Sequence, residues 1–310
     1  MTLKKITLIT LFFLLLIIIS LKALDYIFFK IYGLGNPVIY KSSKIYGYSL
    51  KPDQNLKRRG KSIIINNKGM RSSKNWNSKI EESFNILFFG DSVTYGGSIV
   101  NNNEIFSEII CKQLSLSKYV SYRCGNLGVN GYSLFSIIRR IQYKSINNED
   151  LLIITIIGNN FSRTFHNPLS QPFWTKPIDN HFPSLTELMF IYLEKYRNEI
   201  KYKLGSEMDN SNLDYEYYKN LINELFDVLD KNKKKYLLFY SPSLNEINGS
   251  KNYNNIKNII KKRFPDFIDL SKIEYRSKEK LYYDNIHLNK KGHEIYADFM
   301  SKKINELLAD

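Results

Sequence analysis

At 310 residues and 43% apolar content, the chain can bury one large core with attachments or two small ones. Its 45 Lys and Arg against 30 Asp and Glu give +15, a balance that raises nucleic acid as a partner. Lys and Asn are scattered along the whole chain, however, and no RNP-like, helix-turn-helix or zinc-finger pattern occurs. Nucleic acid is therefore not expected. A basic surface suits anionic lipid or acidic polysaccharide equally well.

The first element is an uncharged apolar run from Ile6 to Leu21, preceded by Lys4 and Lys5 and followed by Lys22. Ala23 and Leu24 extend it to the ~20 residues a bilayer requires, with Lys22 snorkelling. A cleaved signal peptide is the alternative, but Leu21-Lys22-Ala23 matches an A-x-A-like site poorly. Residues 1–24 are read as one transmembrane anchor. The leading lysines place the N-terminus in the cytoplasm and the rest of the chain outside.

Residues 25–80 are rich in turn formers (Gly33, Gly35, Pro37, Pro52, Gly60, Gly69) and hold one short strand candidate, Ser62 to Ile65. They are expected to form a juxtamembrane stalk and small cap, followed by a catalytic-type domain over 81–310. Strands are predicted at 84–89, 120–124, 151–157, 235–240 and 267–270. Helices are predicted at 104–114, 133–143, 218–229, 255–264 and 290–308. Residues 161–215 give mixed signals and read as an insert. Nearly continuous apolar strands alternating with helices indicate a parallel sheet covered on both faces. The loops at the carboxyl ends of such strands converge on the active site.

Four of those loops carry polar chemistry. Gly90-Asp91-Ser92 follows the first strand, where a serine at a helix start lies among unpaired N–H groups. Gly125-Asn126-Leu127-Gly128-Val129-Asn130-Gly131 lets backbone approach a ligand closely. Gly158-Asn159-Asn160 follows the most apolar strand, and an asparagine there can aim its amide at developing negative charge. Asp284-Asn285-Ile286-His287 puts a carboxylate and an imidazole three residues apart, where the first can fix the tautomer of the second. The remaining histidines, His166, His181 and His293, lack that spacing, and His293 reads as packing or capping in the last helix. Taken alone, the first three motifs read as ordinary turns and the fourth as polar surface residues.

Taken in order, GDSVTYG, NLGVNGYS, GNN and DNIHLNKKGH resemble the four blocks of the SGNH, or GDSL-type, hydrolase family over about residues 84–308. The resemblance implies a flavodoxin-like three-layer α/β/α domain with a mostly parallel five-stranded sheet. It implies Ser92 as nucleophile with His287 and Asp284. The Ser92 and Gly128 N–H groups and the Asn160 amide would then form the oxyanion hole. Phe161 stands where the family usually has Asp, which bears on how the Asn160 loop is braced. The chemistry implied is acyl-ester hydrolysis on a cell-envelope glycan or lipid, through an acyl-enzyme. O-acyl transfer to an exported polysaccharide is the alternative, and a non-catalytic binding protein that kept the fold is a second. No cofactor or metal is expected: G-x-G-x-x-G, Walker, C-x-x-C and G-x-S-x-G patterns do not occur. Phe173, Trp174, Phe182 and Tyr192 of the insert are candidates for a cleft wall or for the packing of a peripheral helix. Cys111 and Cys124 read equally as a disulfide or as two buried thiols.

Overall fold

A computed structural model describes residues 3–76, 83–117, 121–144, 148–163, 183–203 and 215–309. The apolar N-terminal run forms helix α1 (Leu3–Tyr32), which ends eight residues beyond the expected anchor, because Tyr26-Ile27-Phe28-Phe29 continues the pattern past Lys22 and Asp25. Two antiparallel hairpins follow, β1 (Tyr40–Ser43) with β2 (Gly47–Leu50) and β3 (Gln54–Arg58) with β4 (Lys61–Ile65).

The main domain begins at β5 (Ser83–Phe89) and continues through the short α2 (Ser92–Tyr95), α3 (Phe106–Ser117), β6 (Ser121–Asn126), α4 (Leu134–Gln142) and β7 (Leu151–Ile156). After β7 come α5 (Asn159–Ser162), α6 (Ser184–Lys203), α7 (Tyr215–Asn232) and β8 (Lys235–Tyr240). The chain ends with α8 (Leu244–Ile247), α9 (Asn254–Arg263), β9 (Ile268–Asp269) and α10 (Lys290–Ala309).

The sheet order is β6-β5-β7-β8-β9, with every pairing parallel. Counting only these five strands, that is the doubly wound 2-1-3-4-5 order, whose switch point lies between β5 and β7. The period of two along each strand divides its side chains between two cores. Ile86, Phe88, Ile153 and Phe239 pack with α3 and α10 on one face. Leu87, Phe89, Leu152, Ile154 and Leu238 pack with α4, α7 and α9 on the other. Each fully buried side chain of this size contributes about 1.5–3 kcal/mol of transfer free energy.

Residues 40–65 are more than part of an irregular connector. Tyr40, Tyr48, Leu50, Ile63 and Ile65 of the hairpins enter the second core together with α4 and α7. Turn-rich composition hid this, since strands of four or five residues give too few positions for a periodic signal. The helix α6 was likewise illegible: its 184–193 stretch is apolar without a clear polar face. Phe173, Trp174 and Phe182, named as candidate cleft residues, lie outside the described residues, as do His166 and His181.

Cys111 of α3 and Cys124 of β6 are joined as a disulfide, with Cα atoms 5.8 Å apart. The bridge closes a loop with a sequence separation of 13 residues, for which chain entropy predicts about 3 kcal/mol. Denatured protein alkylated without reductant is expected to keep both thiols unmodified, and reduction should add two labels and lower the unfolding midpoint. Two labels without reductant would exclude the bridge.

Candidate active site

The serine loop is built by Asp91. Its side chain caps α2, Oδ1 accepting from the Val93 N–H at 2.9 Å, which turns the chain sharply as β5 ends. Gly96 ends α2 at φ +85°, and a Cβ there would lie 2.5 Å from Ile105 Cγ2, so only glycine fits. Ser92 is thereby held, buried, at the first position of the helix, where its N–H has no intrahelical acceptor.

His287 reaches it from the far end of the sequence. Its Nε2 lies 2.9 Å from Ser92 Oγ, and its Nδ1 lies 2.7 Å from Asp284 Oδ2. The carboxylate requires a proton on Nδ1, which leaves Nε2 free to accept the serine proton. Asp284 Oδ1 accepts from the N–H groups of Ile286 and His287, each at 2.8 Å, so one side chain closes the turn and orients the ring. Partial burial would raise the Asp284 pKa, but the hydrogen bonds and charge of His287 and the two N–H groups outweigh it and hold the pKa below the usual value.

The other two loops stand beside this chain of hydrogen bonds. Gly128 packs directly on α2; a Cβ there would meet Tyr95 N at 2.5 Å. Its N–H donates to Asn126 Oδ1 at 2.9 Å. Asn160 is fully buried, its Oδ1 accepting from the Ile157 N–H at 2.6 Å. Its Nδ2 donates to the Tyr132 carbonyl at 2.8 Å and to Asp91 Oδ2 at 3.3 Å. The donor groups of both residues therefore already serve protein acceptors. Asn159 is half-buried, and its Oδ1 accepts from the Tyr253 hydroxyl at 3.2 Å.

Further residues brace the site, among them Arg163, Tyr132 and Tyr48, to which no local sequence pattern points. Arg163 Nη1 donates to Asp91 Oδ2 at 2.7 Å and to the Tyr132 carbonyl at 3.0 Å, sharing both acceptors with Asn160. No local pattern could have paired Arg163 with a carboxylate 72 positions away. Asn126 donates to the Thr94 carbonyl at 2.6 Å and to Ser107 Oγ at 2.9 Å, tying the second loop to α2 and α3. Phe161 is buried edge-on against Tyr218 of α7, with centroids 5.5 Å apart, so apolar packing braces the third loop where the family has a carboxylate. The hairpins brace the second loop: Tyr132 donates its hydroxyl to the Tyr48 carbonyl, and Tyr48 donates its own to the Asn130 carbonyl.

His293 has a packing role. It lies fully buried against Phe106, whose N–H donates to its Nδ1 at 3.3 Å. Burial above all, with the positive charges of Arg71 and His287, lowers its pKa to about 3. The folded value lies below the unfolded one, so between them the unfolded chain binds more protons. Stability should thus fall as pH drops from about 6.5 toward 3. Denaturation midpoints measured across that window should decline in the wild type, and less steeply in His293→Asn, whose Oδ1 can replace Nδ1. Parallel slopes would reject this role.

Comparison with known proteins supplies the family. Among curated protein sequences none matches the chain. Similar solved structures include a lipase/acylhydrolase from Enterococcus faecalis, 12% identical over 71% of this chain and 95% of the other, with a TM-score of 0.44. A two-domain esterase (CEX) active on acetylated mannans is 14% identical over 74% of this chain and 50% of the other, with a TM-score of 0.45. A mutant of Axe2, an acetyl-xylooligosaccharide esterase from Geobacillus Stearmophilus, is 16% identical over 73% of this chain and 96% of the other, with a TM-score of 0.45. The profile of the GDSL-like Lipase/Acylhydrolase family matches residues 86–300, the span that carries Ser92, Gly128, Asn160, Asp284 and His287. This chain belongs to the GDSL-like lipase/acylhydrolase family.

Proposed function

We propose that the chain is a serine-dependent acyl-ester hydrolase that works through an acyl-enzyme on Ser92. The observation that carries this reading is the continuous relay from Ser92 Oγ through both nitrogens of His287 to Asp284. As Ser92 Oγ attacks the ester carbonyl, His287 Nε2 takes its proton, and Asp284 stabilises the imidazolium. Collapse of the tetrahedral intermediate breaks the bond to the leaving alcohol, which takes the proton back from His287. An acceptor hydroxyl, from water in hydrolysis, then gives its proton to His287 and attacks the acyl-serine. The acyl product leaves and Ser92 regains its proton.

The N–H of Ser92 faces no competing helix acceptor and is the primary oxyanion donor in this scheme. Gly128 and Asn160 join it by sharing hydrogens now given to Asn126 Oδ1, Tyr132 O and Asp91. One such donor typically supplies about 3–4 kcal/mol in the transition state.

Placement narrows the substrate. α1 is long and apolar enough to cross a bilayer, and the span from Lys4 is unburied by the rest of the protein. Lysines precede it, and a disulfide joins Cys111 to Cys124, as suits an oxidising compartment. We read the catalytic domain as tethered by α1 on the outer side of the membrane, where acylated envelope glycans and lipids are within reach.

The test uses the whole 310-residue chain in nanodiscs. A fluorophosphonate probe should label the wild type and fail to label Ser92→Ala; a well-folded wild type that resists labelling would favour a non-catalytic binding protein. Acetyl release from an activated ester should proceed without a glycan acceptor. Release that requires the glycan and adds acetyl mass to it would replace hydrolysis with O-acyl transfer.

A further inference from the structure

We propose that α6 is a second membrane contact, an interfacial helix that lies on the outer surface of the bilayer crossed by α1. The inference rests on reading α1 as a membrane span. About 20 helical residues cross the hydrocarbon core, and counted from Ile6 they end at Asp25. Asp25 is where α6 begins: its Oδ1 accepts the Leu185 N–H at 3.0 Å. Two further bonds tie the same end of α6 to the turn that follows α1. Ser184 Oγ donates to the Leu34 carbonyl at 2.7 Å, and the Gly35 N–H donates to Glu187 Oε2 at 2.7 Å. Glu187 is buried in an ion pair with Arg58 of β3. The start of α6 is thus locked at the level where the span leaves the bilayer.

The two sides of the helix differ as an interfacial element requires. At about 100° per residue, Ser184, Glu187 and Ile191 share the side that packs on the protein. Leu188, Met189, Tyr192, Leu193 and Tyr196 fall on the other side in one continuous stripe, each between 41% and 71% exposed. No charged residue occurs from Leu188 to Leu193. A contiguous exposed apolar stripe marks a surface that a partner or a membrane covers. Beside a membrane it gains by burial at the boundary of headgroups and acyl chains, where tyrosine is favoured. The end of α1 has matching character, with exposed Tyr26, Ile27, Ile31 and Tyr32 and with Lys30 over the Tyr26 and Phe29 rings. The two helices pack against each other, so their exposed apolar residues adjoin.

The consequence is orientation. One helix alone leaves the domain free to swing, whereas a second contact fixes which face meets the membrane.

Depth-dependent quenching tests this in the whole 310-residue chain. A polarity-sensitive NBD label is placed on Leu193→Cys, on Ile17→Cys within the span, and on Leu116→Cys as an exposed reference on α3. Cys111 and Cys124 stay joined and unlabelled. Each protein enters vesicles of phosphatidylcholine and phosphatidylglycerol that carry doxyl groups either near the headgroup or near the chain end. The label at 193 should be quenched by the shallow doxyl lipid and the label at 17 by the deep one, both well above the reference at 116. Quenching at 17 with none at 193 would overturn the α6 contact and leave the span intact. A blue-shifted but unquenched label at 193 would overturn it too, showing that protein covers the stripe. Absence of quenching at both positions would overturn the reading of α1 itself.

Discussion

Asp284→Asn is expected to lower kcat about 10⁴-fold with the fold unchanged. The variant keeps a carbonyl oxygen for the N–H groups of Ile286 and His287, so the turn that carries the histidine survives. It replaces the carboxylate that holds Nδ1 with an amide whose N–H₂ forces the proton onto Nε2. That nitrogen then donates toward Ser92 Oγ and cannot accept from it. The imidazolium also loses its counter-charge. Ser92→Ala should cost more, on the order of 10⁶-fold, and should not be additive with Asp284→Asn because the residues act as a unit. Activated-ester turnover and circular dichroism decide the matter. Near-normal kcat in a folded Asp284→Asn protein would exclude the relay as drawn.

Arg71→Met should produce the largest loss of stability outside the two cores, about 3–5 kcal/mol. Arg71 is fully buried and stacks over Tyr95. Its guanidinium donates to the carbonyls of Tyr95 at 2.7 Å, Gly97 at 2.5 Å and Val100 at 2.8 Å, and to Asn102 Oδ1 at 3.4 Å. Its own N–H donates to the Asn126 carbonyl at 2.9 Å. Methionine preserves much of the volume but leaves two buried carbonyls and one half-buried carbonyl without their donor. The expected penalty is less than the sum of the lost bonds, because burial also opposes the charge and lowers the Arg71 pKa. A fall of roughly 6–20 °C in unfolding midpoint corresponds to that energy in a domain of this size. Activity should fall with it, since the loop that Arg71 holds leads directly from Ser92 to α3. An unchanged midpoint would mean that water or a shifted backbone satisfies those carbonyls.

These two variants probe different kinds of knowledge. Asp284 was legible because three residues separate it from His287, and local spacing survives folding. Arg71 was not, because its partners lie in a loop 24 to 31 positions away and an isolated arginine in a polar stretch reads as surface. The same contrast runs through the fold. The strand 151–157 is legible from six apolar residues interrupted only by Thr155, and it stands as β7 (Leu151–Ile156), buried throughout. The hairpins of 40–65 were too short to show a period, yet their tyrosines brace the Tyr132 loop. Gly128 and Asn160 follow from the block pattern alone. Only the folded arrangement shows that Asn126, Tyr132 and Asp91 compete for their hydrogens.

By itself the sequence determined the apolar first helix, the alternation that makes a parallel sheet, and the serine and histidine blocks. All three are one-dimensional patterns, set by the chemistry of neighbours a few positions apart. Tertiary structure alone decided that Arg163 and Asn160 share Asp91, that Cys111 meets Cys124, and that the stripe on α6 is bare beside the end of α1. Those outcomes depend on which distant segments come within a few ångströms, and hydrogen bonding and burial act over that distance without regard to order along the chain.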